Sequence, residues 1–136
     1  MSIQTVTSTF VGSEDKFNNV IPVQVQLTSG TLTQNIIAPC EGRLVAAFVQ
    51  SQTTTTTSNT ITLTLTNESN SAVAMIPAGT FNQTTVITSN TVKALTLGTS
   101  GTLNVDLNDN LELLYTEAGT IAGGAVILYF QAATTA

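Results

Sequence analysis

The densest group of oxygen-bearing side chains in the sequence lies between residues 106 and 112. Asp106, Asn108, Asp109, Asn110 and Glu112 fall within this stretch, and oxygen ligands at such short spacing suit a hard cation such as Ca²⁺. Known calcium loops of this kind need a longer run and a glycine at the bend, which this stretch lacks. The favoured interpretation is a polar β-turn, and a weak calcium site formed by Asp106, Asn108, Asp109 and Glu112 is the alternative.

Paired carboxylates are a second kind of chemistry that acidic residues can perform, because most glycoside hydrolases place two across the bond they cleave. Asp106, Asp109, Glu112 and Glu117 are the residues from which a pair would come. Alternation along the neighbouring strands predicts that Asp106 and Glu112 point outward to solvent. We therefore expect no glycosidase site.

The residue types that perform most nucleophilic catalysis and metal binding are scarce. The sequence has no histidine and one cysteine, Cys40. Histidine is the commonest general base and metal ligand, and without it Cys40 has no imidazole to activate its thiol. We expect Cys40 to be reduced and inert, no cofactor to be bound, and the protein not to be an enzyme.

Charged residues make up only 8% of the 136 residues, and three basic residues against eight acidic ones give a net charge of −5. No basic patch is available to neutralise phosphates, so a nucleic-acid partner is not expected. The apolar runs are shorter than the ~20 residues of a membrane helix, and the first residues lack a signal-peptide pattern. We expect a soluble chain made in the cytoplasm.

The elements that would position these residues are predicted to be β-strands. Threonine supplies about a fifth of the sequence, and its branched Cβ suits a strand. Residues 60–66 alternate almost perfectly, with Ile61, Leu63 and Leu65 inward, and the apolar run at 43–50 predicts a central strand buried on both faces. Residues 22–28 and 31–37 are predicted as strands that could pair as a hairpin.

Weaker patterns complete the prediction. Residues 72–76 predict a short strand. Residues 81–88 and 92–97 predict two more strands, of which the second could be a helical turn. A closing meander is predicted at residues 103–107, 111–115 and 125–131. Eight or nine short strands without a convincing helix indicate a two-sheet antiparallel sandwich, with a jelly roll as first choice. The sandwich would span residues 20–136.

Two segments are predicted to lie outside the strands. Residues 1–19 show no sustained periodicity, which predicts an arm ordered on a neighbour or a loosely attached first strand. Residues 51–59, with threonine at every position from 53 to 57, lack core-forming residues and predict an exposed loop.

Two stretches resemble the small jelly-roll proteins that decorate the capsids of tailed bacteriophages, and related virion modules. One is residues 36–45 (IIAPCEGRLV), similar to the family's apolar strand, proline, glycine-containing turn and long core strand. The other is residues 107–113 (LNDNLEL) with 124–130 (GAVILYF), similar to its tight polar turn and last two strands. Many relatives carry Gly-Asp in that turn, where this chain has Asp109-Asn110.

The resemblance implies a virion structural protein that binds the outside of an assembled shell as a decoration or cement protein. It implies two partners: the major capsid protein, and further copies of the chain in a homotrimer. The arm and the threonine loop supply the candidate contact residues, which are Phe10, Val11, Phe17, Thr53, Thr55 and Thr57. The alternative is a receptor-binding fibre or tail tip that recognises glycans through the loops at 51–59 and 117–123.

Overall fold

The computed structural model describes residues 19–27, 32–50, 61–80, 82–83, 92–117 and 124–133. Within these residues the chain forms ten strands and one 3₁₀ turn, Ser100–Leu103. The strands are β1 (Val20–Leu27), β2 (Leu32–Ile37), β3 (Gly42–Gln50), β4 (Ile61–Asn67), β5 (Val73–Ile76), β6 (Asn82–Gln83), β7 (Val92–Ala94), β8 (Asn104–Val105), β9 (Asn110–Glu117) and β10 (Gly124–Ala132). No helix in this described part is long and apolar enough to cross a membrane.

The strands form two antiparallel sheets. The first has the order β1-β10-β3-β7, with β8 also paired to β3, and the second has the order β2-β9-β4-β5, with β6 also paired to β4. The chain changes sheet at β1 to β2, β2 to β3, β3 to β4 and β6 to β7, and again from β8 through β9 to β10. This is the strand order of a jelly roll, and the predicted all-β two-sheet sandwich is confirmed.

Alternation within the strands builds the core between the two sheets. In β4, Leu63 and Leu65 are fully buried while the threonines on either side of them face outward. In β10, Val126, Leu128 and Phe130 are fully buried in the same way. Packed sheets lie about 10 Å apart, so inward side chains of this size fill the space between them. The strand pattern predicted for residues 60–66 is confirmed in its alternation.

Strand β3 is central, as the apolar run at 43–50 predicts. It pairs with β10 on one side and with β7 and β8 on the other. Its inward residues Leu44, Ala47 and Val49 are buried, and Phe48 on the outer side is half-buried. At its start, a Cβ on Gly42 would overlap the carbonyl oxygen of Gln131, so the glycine allows β3 and β10 to approach.

Two predicted pairings are wrong. Strands β1 and β2 do not form a hairpin, because they belong to different sheets, and β8, β9 and β10 are not a meander, because β9 lies in the opposite sheet from both. The physical reason is the same for both errors. Alternation reports which side of a strand is buried, and that side is buried equally well whether the next strand pairs beside it or lies across the core.

The strand predicted at residues 103–107 is also largely wrong. Leu103 ends the 3₁₀ turn, β8 contains only Asn104 and Val105, and Leu107 is 59% exposed. The turn that follows places Asn108 at φ +72°, a left-handed conformation that asparagine adopts more readily than most residues. This turn ends the alternation before Leu107 can face the core.

Other predictions have mixed outcomes. The predicted short strand at 72–76 is present as β5, and residues 92–94 form a strand rather than a helical turn. Of residues 81–88, only β6 is described. Of the predicted arm at residues 1–19, residues 1–18 lie outside the described residues, and so do the whole of the predicted threonine loop at 51–59 and residues 118–123.

Candidate functional site

The outer face of the first sheet is apolar. Alternate residues of its strands point away from the core, and most are aliphatic or aromatic. We call this set the apolar face; its members are Val20, Pro22, Ala46, Phe48, Val92, Ala94, Ala125, Ile127 and Tyr129. An antiparallel sheet with one face in water normally has polar residues at its outward positions. The first sheet differs because it is apolar on both sides.

Cross-strand register aligns the apolar face into rows. Ile127 lies opposite Phe48 on β3 and Gln24 on β1, and Phe48 lies opposite Ala94 on β7. The rings of Phe48 and Tyr129 meet edge to face, with centroids 5.9 Å apart and planes at 78°, a favoured aromatic geometry. The centre of the face is therefore a packed aromatic and aliphatic group that is only half-buried in the single chain.

Uncharged polar residues border the apolar face. Gln24, Gln26, Gln50 and Gln131 occupy the remaining outward positions of β1, β3 and β10. Among the described residues of these rows, the one charged side chain is Arg43, at the corner where β3 begins. An apolar aromatic centre with a polar, charge-poor rim is the usual composition of a protein–protein interface.

The outer face of the second sheet is different in character. Thr62, Thr64 and Thr66 of β4 point outward beside Thr116, Leu114 and Glu112 of β9, and Thr33 and Asn35 of β2 continue the layer. We call this the threonine face. It is polar but carries one charged side chain among its described residues, Glu112, so contact with a partner would desolvate few ions.

Four of the six described acidic residues lie at one end of the sandwich. This end holds three turns, at residues 38–41, 68–72 and 106–109, which we call the turn cluster. Glu41, Glu68, Asp106 and Asp109 lie in these turns. Both outer faces are thereby left nearly uncharged, although the whole chain has a net charge of −5.

The side chain of Asn67 links two turns of the turn cluster by hydrogen bonds. Its side chain is fully buried, and its Nδ2 donates to Oδ2 of Asp109 over 2.9 Å while its Oδ1 accepts from the backbone N–H of Ser69 over 3.1 Å. The same Oδ2 of Asp109 accepts from the backbone N–H of Asp106 over 2.9 Å. The hydrogen bond from Asn67, and then that from Asp106, hold the pKa of Asp109 below its ordinary value.

Backbone hydrogen bonds join the three turns as well. The N–H of Ala38 donates to the carbonyl of Asp109 over 2.9 Å, and the N–H of Asn108 returns to the carbonyl of Ala38 over 3.2 Å. The N–H of Glu68 donates to the carbonyl of Asn110 over 2.9 Å. Asp109 thus acts as a structural hydrogen-bond acceptor in a polar turn.

The four candidate calcium ligands have different environments in the structure. Asp106 and Asn108 are exposed, Asp109 is held by Asn67, and Glu112 lies on the threonine face. Among the described residues there is no group of three or more histidine, cysteine, aspartate or glutamate side chains that could hold a metal ion. Three of the residues considered for a glycosidase pair, Asp106, Asp109 and Glu112, are among these four. For the remaining one, Glu117, the structure describes the backbone.

Cys40 lies in the turn between β2 and β3 and is half-buried, packed against the core. Burial raises the pKa of its thiol. A raised pKa leaves less thiolate, the nucleophilic form, at neutral pH.

The end opposite the turn cluster is where the two loops of the glycan-binding alternative begin and end. Gln50, which precedes residues 51–60, lies opposite Ala125, and Glu117, which precedes residues 118–123, lies opposite Ile61. The strand pairing therefore brings the stems of both loops to the same end of the sandwich. The contact candidates Phe10, Val11, Phe17, Thr53, Thr55 and Thr57 all lie outside the described residues.

The sequence predicted burial on both faces for residues 43–50, but it did not predict an apolar face that extends over the whole first sheet and is only half-buried at Phe48. The signal was present in two runs, 44–49 and 125–130, that are apolar at successive rather than alternate positions. Such a run indicates a strand covered on both sides, and among the described residues the second sheet covers one side of it.

Comparison with known proteins adds little to these findings. No protein-family model matches the sequence, and no curated protein matches it. Among solved structures, a chain of the "Structure of infectious bursal disease virus Gx strain" is 14% identical with a TM-score of 0.39, over 85% of this chain and 34% of that chain. The chain thus spans about a third of that protein's length, and a likeness at this TM-score carries no weight for fold or function.

Proposed function

We propose that this chain is a virion structural protein that decorates the outer surface of an assembled bacteriophage shell and stabilises it without catalysis. The observation that carries the proposal is the pair of nearly uncharged outer faces on a jelly-roll sandwich whose described acidic residues lie mainly in turns at one end. The sequence resemblance at residues 36–45 and 107–113 supports the same role. The partner is the major capsid protein, and the site of action is the capsid surface.

The threonine face is the surface we assign to the shell. Its hydroxyl groups can donate and accept hydrogen bonds, and with Glu112 as its one described carboxylate, docking costs little ion desolvation. Stabilisation then follows from mass action, because a protein that binds the assembled shell and not its free subunits favours the shell. At a free concentration of 100 times Kd, this amounts to about 2.7 kcal/mol per site.

Cosedimentation with shells that lack the protein tests this proposal. The wild-type chain should pellet with intact shells, fail to pellet with dissociated subunits, and raise the temperature at which shells open. Thr64→Lys, at the centre of the threonine face, should weaken shell binding. A chain that stays in the supernatant at every concentration would refute the decoration role.

A glycan-binding tip is the second candidate, and one observation favours it. The stems of the loops predicted at 51–59 and 117–123 lie at the same end of the sandwich, where loops of this architecture can form one binding surface. Purified protein that binds glycans on an array and ignores shells would replace the decoration role with this one.

A further inference from the structure

We infer that the apolar face is the contact surface between copies of this chain. The inference deepens the proposed function, on which it rests for its setting on a virion, by naming the partner of a second surface. Assembly through this face would leave the threonine face of each copy free to meet the shell. Four observations favour a second copy as the occupant.

The first observation is size. Strands of eight or nine residues rise about 3.3 Å per residue and lie about 4.8 Å apart, so the face covers on the order of 400–500 Å². The largest apolar patch on a typical monomer is of about this size and is often functional. Two such faces would bury on the order of 1,000 Å² together, close to the lower limit for a specific interface.

The second observation is composition. Phe48, Ile127 and Tyr129 form the centre, and glutamines form the border. A charge-free centre lets two identical surfaces meet without burying an unpaired ion, which is a requirement when a chain packs against itself. Sheets that pack face to face interdigitate side chains of this kind at about 10 Å separation.

The third observation is the position of the charge. Each chain has a net charge of −5, so copies repel one another unless their acidic groups stay apart. Glu41, Glu68 and Asp106 lie in the turn cluster at one end of the sandwich rather than on the apolar face. Copies packed through this face with their strands antiparallel would place the acidic ends at opposite sides of the assembly.

The fourth observation concerns the edge of the same sheet. Strand β1 is one edge strand of this sheet and could pair with another copy through its backbone, but Pro22 lies within it and has no N–H to donate. Proline at an edge strand is a common device against edge-to-edge pairing. Pairing of copies through the β1 edge is therefore disfavoured, and the face is the surface left for the contact on that side.

Light scattering on the full-length chain, in the absence of shells, tests the inference. At a chain concentration of about 100 µM, chosen high because the contact is near the lower limit of interface size, the wild-type mass should be a multiple of 14.1 kDa. Ile127→Lys should weaken self-association on the order of 100-fold, because it places an unpaired charge in the centre of the face. Ala94→Lys changes an exposed residue of the same face and should weaken self-association without disturbing the fold.

Thr64→Lys is the matched control, since it introduces the same charge at the centre of the opposite outer face. It should self-associate like the wild type. A wild-type chain that remains a monomer of 14.1 kDa would overturn the inference. This holds whether the apolar face is then contacted by residues 1–18 of the same chain or by another protein. An oligomer that survives both Ile127→Lys and Ala94→Lys would overturn it too.

The outcomes separate this inference from the proposed function. If the wild type self-associates but does not pellet with shells, the contact surface stands and the decoration role falls. If the wild type pellets with shells as a single chain, the decoration role stands and the contact surface falls.

Discussion

At the scale of single residues, Asn67 and Asp109 form the interaction on which the turn cluster depends. Asn67 is fully buried at the end of β4, and its amide is satisfied by Asp109 and by the backbone of Ser69. A buried amide that loses its acceptor keeps its desolvation cost without compensation. The carboxylate of Asp109 therefore stabilises the fold by accepting the hydrogen bond of Asn67. It belongs to no metal-binding cluster among the described residues.

We expect Asp109→Ala to lower the free energy of unfolding by about 1–3 kcal/mol, the cost of leaving a buried polar group unsatisfied. Urea denaturation followed by circular dichroism measures this change. Asp106→Ala is the matched control, because Asp106 contributes its backbone N–H and not its exposed side chain to the network. Equal stability of the two variants would show that the Asn67–Asp109 hydrogen bond contributes nothing.

The same hydrogen bonds predict a pH dependence. The pKa of Asp109 is lower in the folded chain than in the unfolded chain, so its stabilising contribution is present above the unfolded pKa, roughly 4, and is lost as the pH falls through the folded pKa. The stability difference between wild type and Asp109→Asn should therefore be constant near neutral pH and shrink in acid. A difference that grows in acid would contradict the assignment.

At the scale of elements, strand β9 shows how alternation divides the core from the surface. Leu113 is fully buried between the sheets, and the next residue, Leu114, is 37% exposed on the threonine face. The two side chains have the same composition and differ in which side of the strand they occupy. Their environments follow from the pleat alone.

We expect Leu113→Ala to cost about 2–5 kcal/mol of unfolding free energy, the usual loss for a buried leucine. Leu114→Ala should cost less than about 1 kcal/mol, because its side chain is already partly in water. Thermal unfolding of both variants beside the wild type measures the pair. Similar losses at the two positions would contradict the register of β9 against β2 and β4.

At the scale of the whole molecule, the distribution of charge is the feature that matters for assembly. The turn cluster holds Glu41, Glu68, Asp106 and Asp109, while the apolar face and the threonine face are nearly uncharged. Contacts made through such faces depend on packing and hydrogen bonds more than on Coulombic attraction. Salt screens exposed charges but leaves apolar burial largely intact.

We expect the affinity for shells to change less than about threefold between roughly 0.05 and 0.5 M NaCl, a range over which exposed ion pairs are strongly screened. Cosedimentation across this salt series measures it. A steep loss of binding with salt would show that charged groups, such as those of the turn cluster, make the contact with the shell.

The sequence by itself determined the fold class and the strands with clear alternation. Residues 60–66 showed the position of β4 because period-two alternation follows directly from the pleat of a strand, and the apolar run within 125–131 showed the position of β10. It also showed a polar turn before β9, since Asp106, Asn108 and Asp109 are residues that turns favour. These features depend on neighbours along the chain.

The tertiary structure alone decided which strands lie side by side and which outer face is apolar. The predicted hairpin and meander failed because alternation does not record whether the next strand pairs in the same sheet or crosses to the other. The hydrogen bond between Asn67 and Asp109 joins residues 42 positions apart. Phe48 of β3 packs against Tyr129 of the neighbouring strand β10. Such contacts depend on sheet order, which is set by packing over the whole chain rather than by any local pattern.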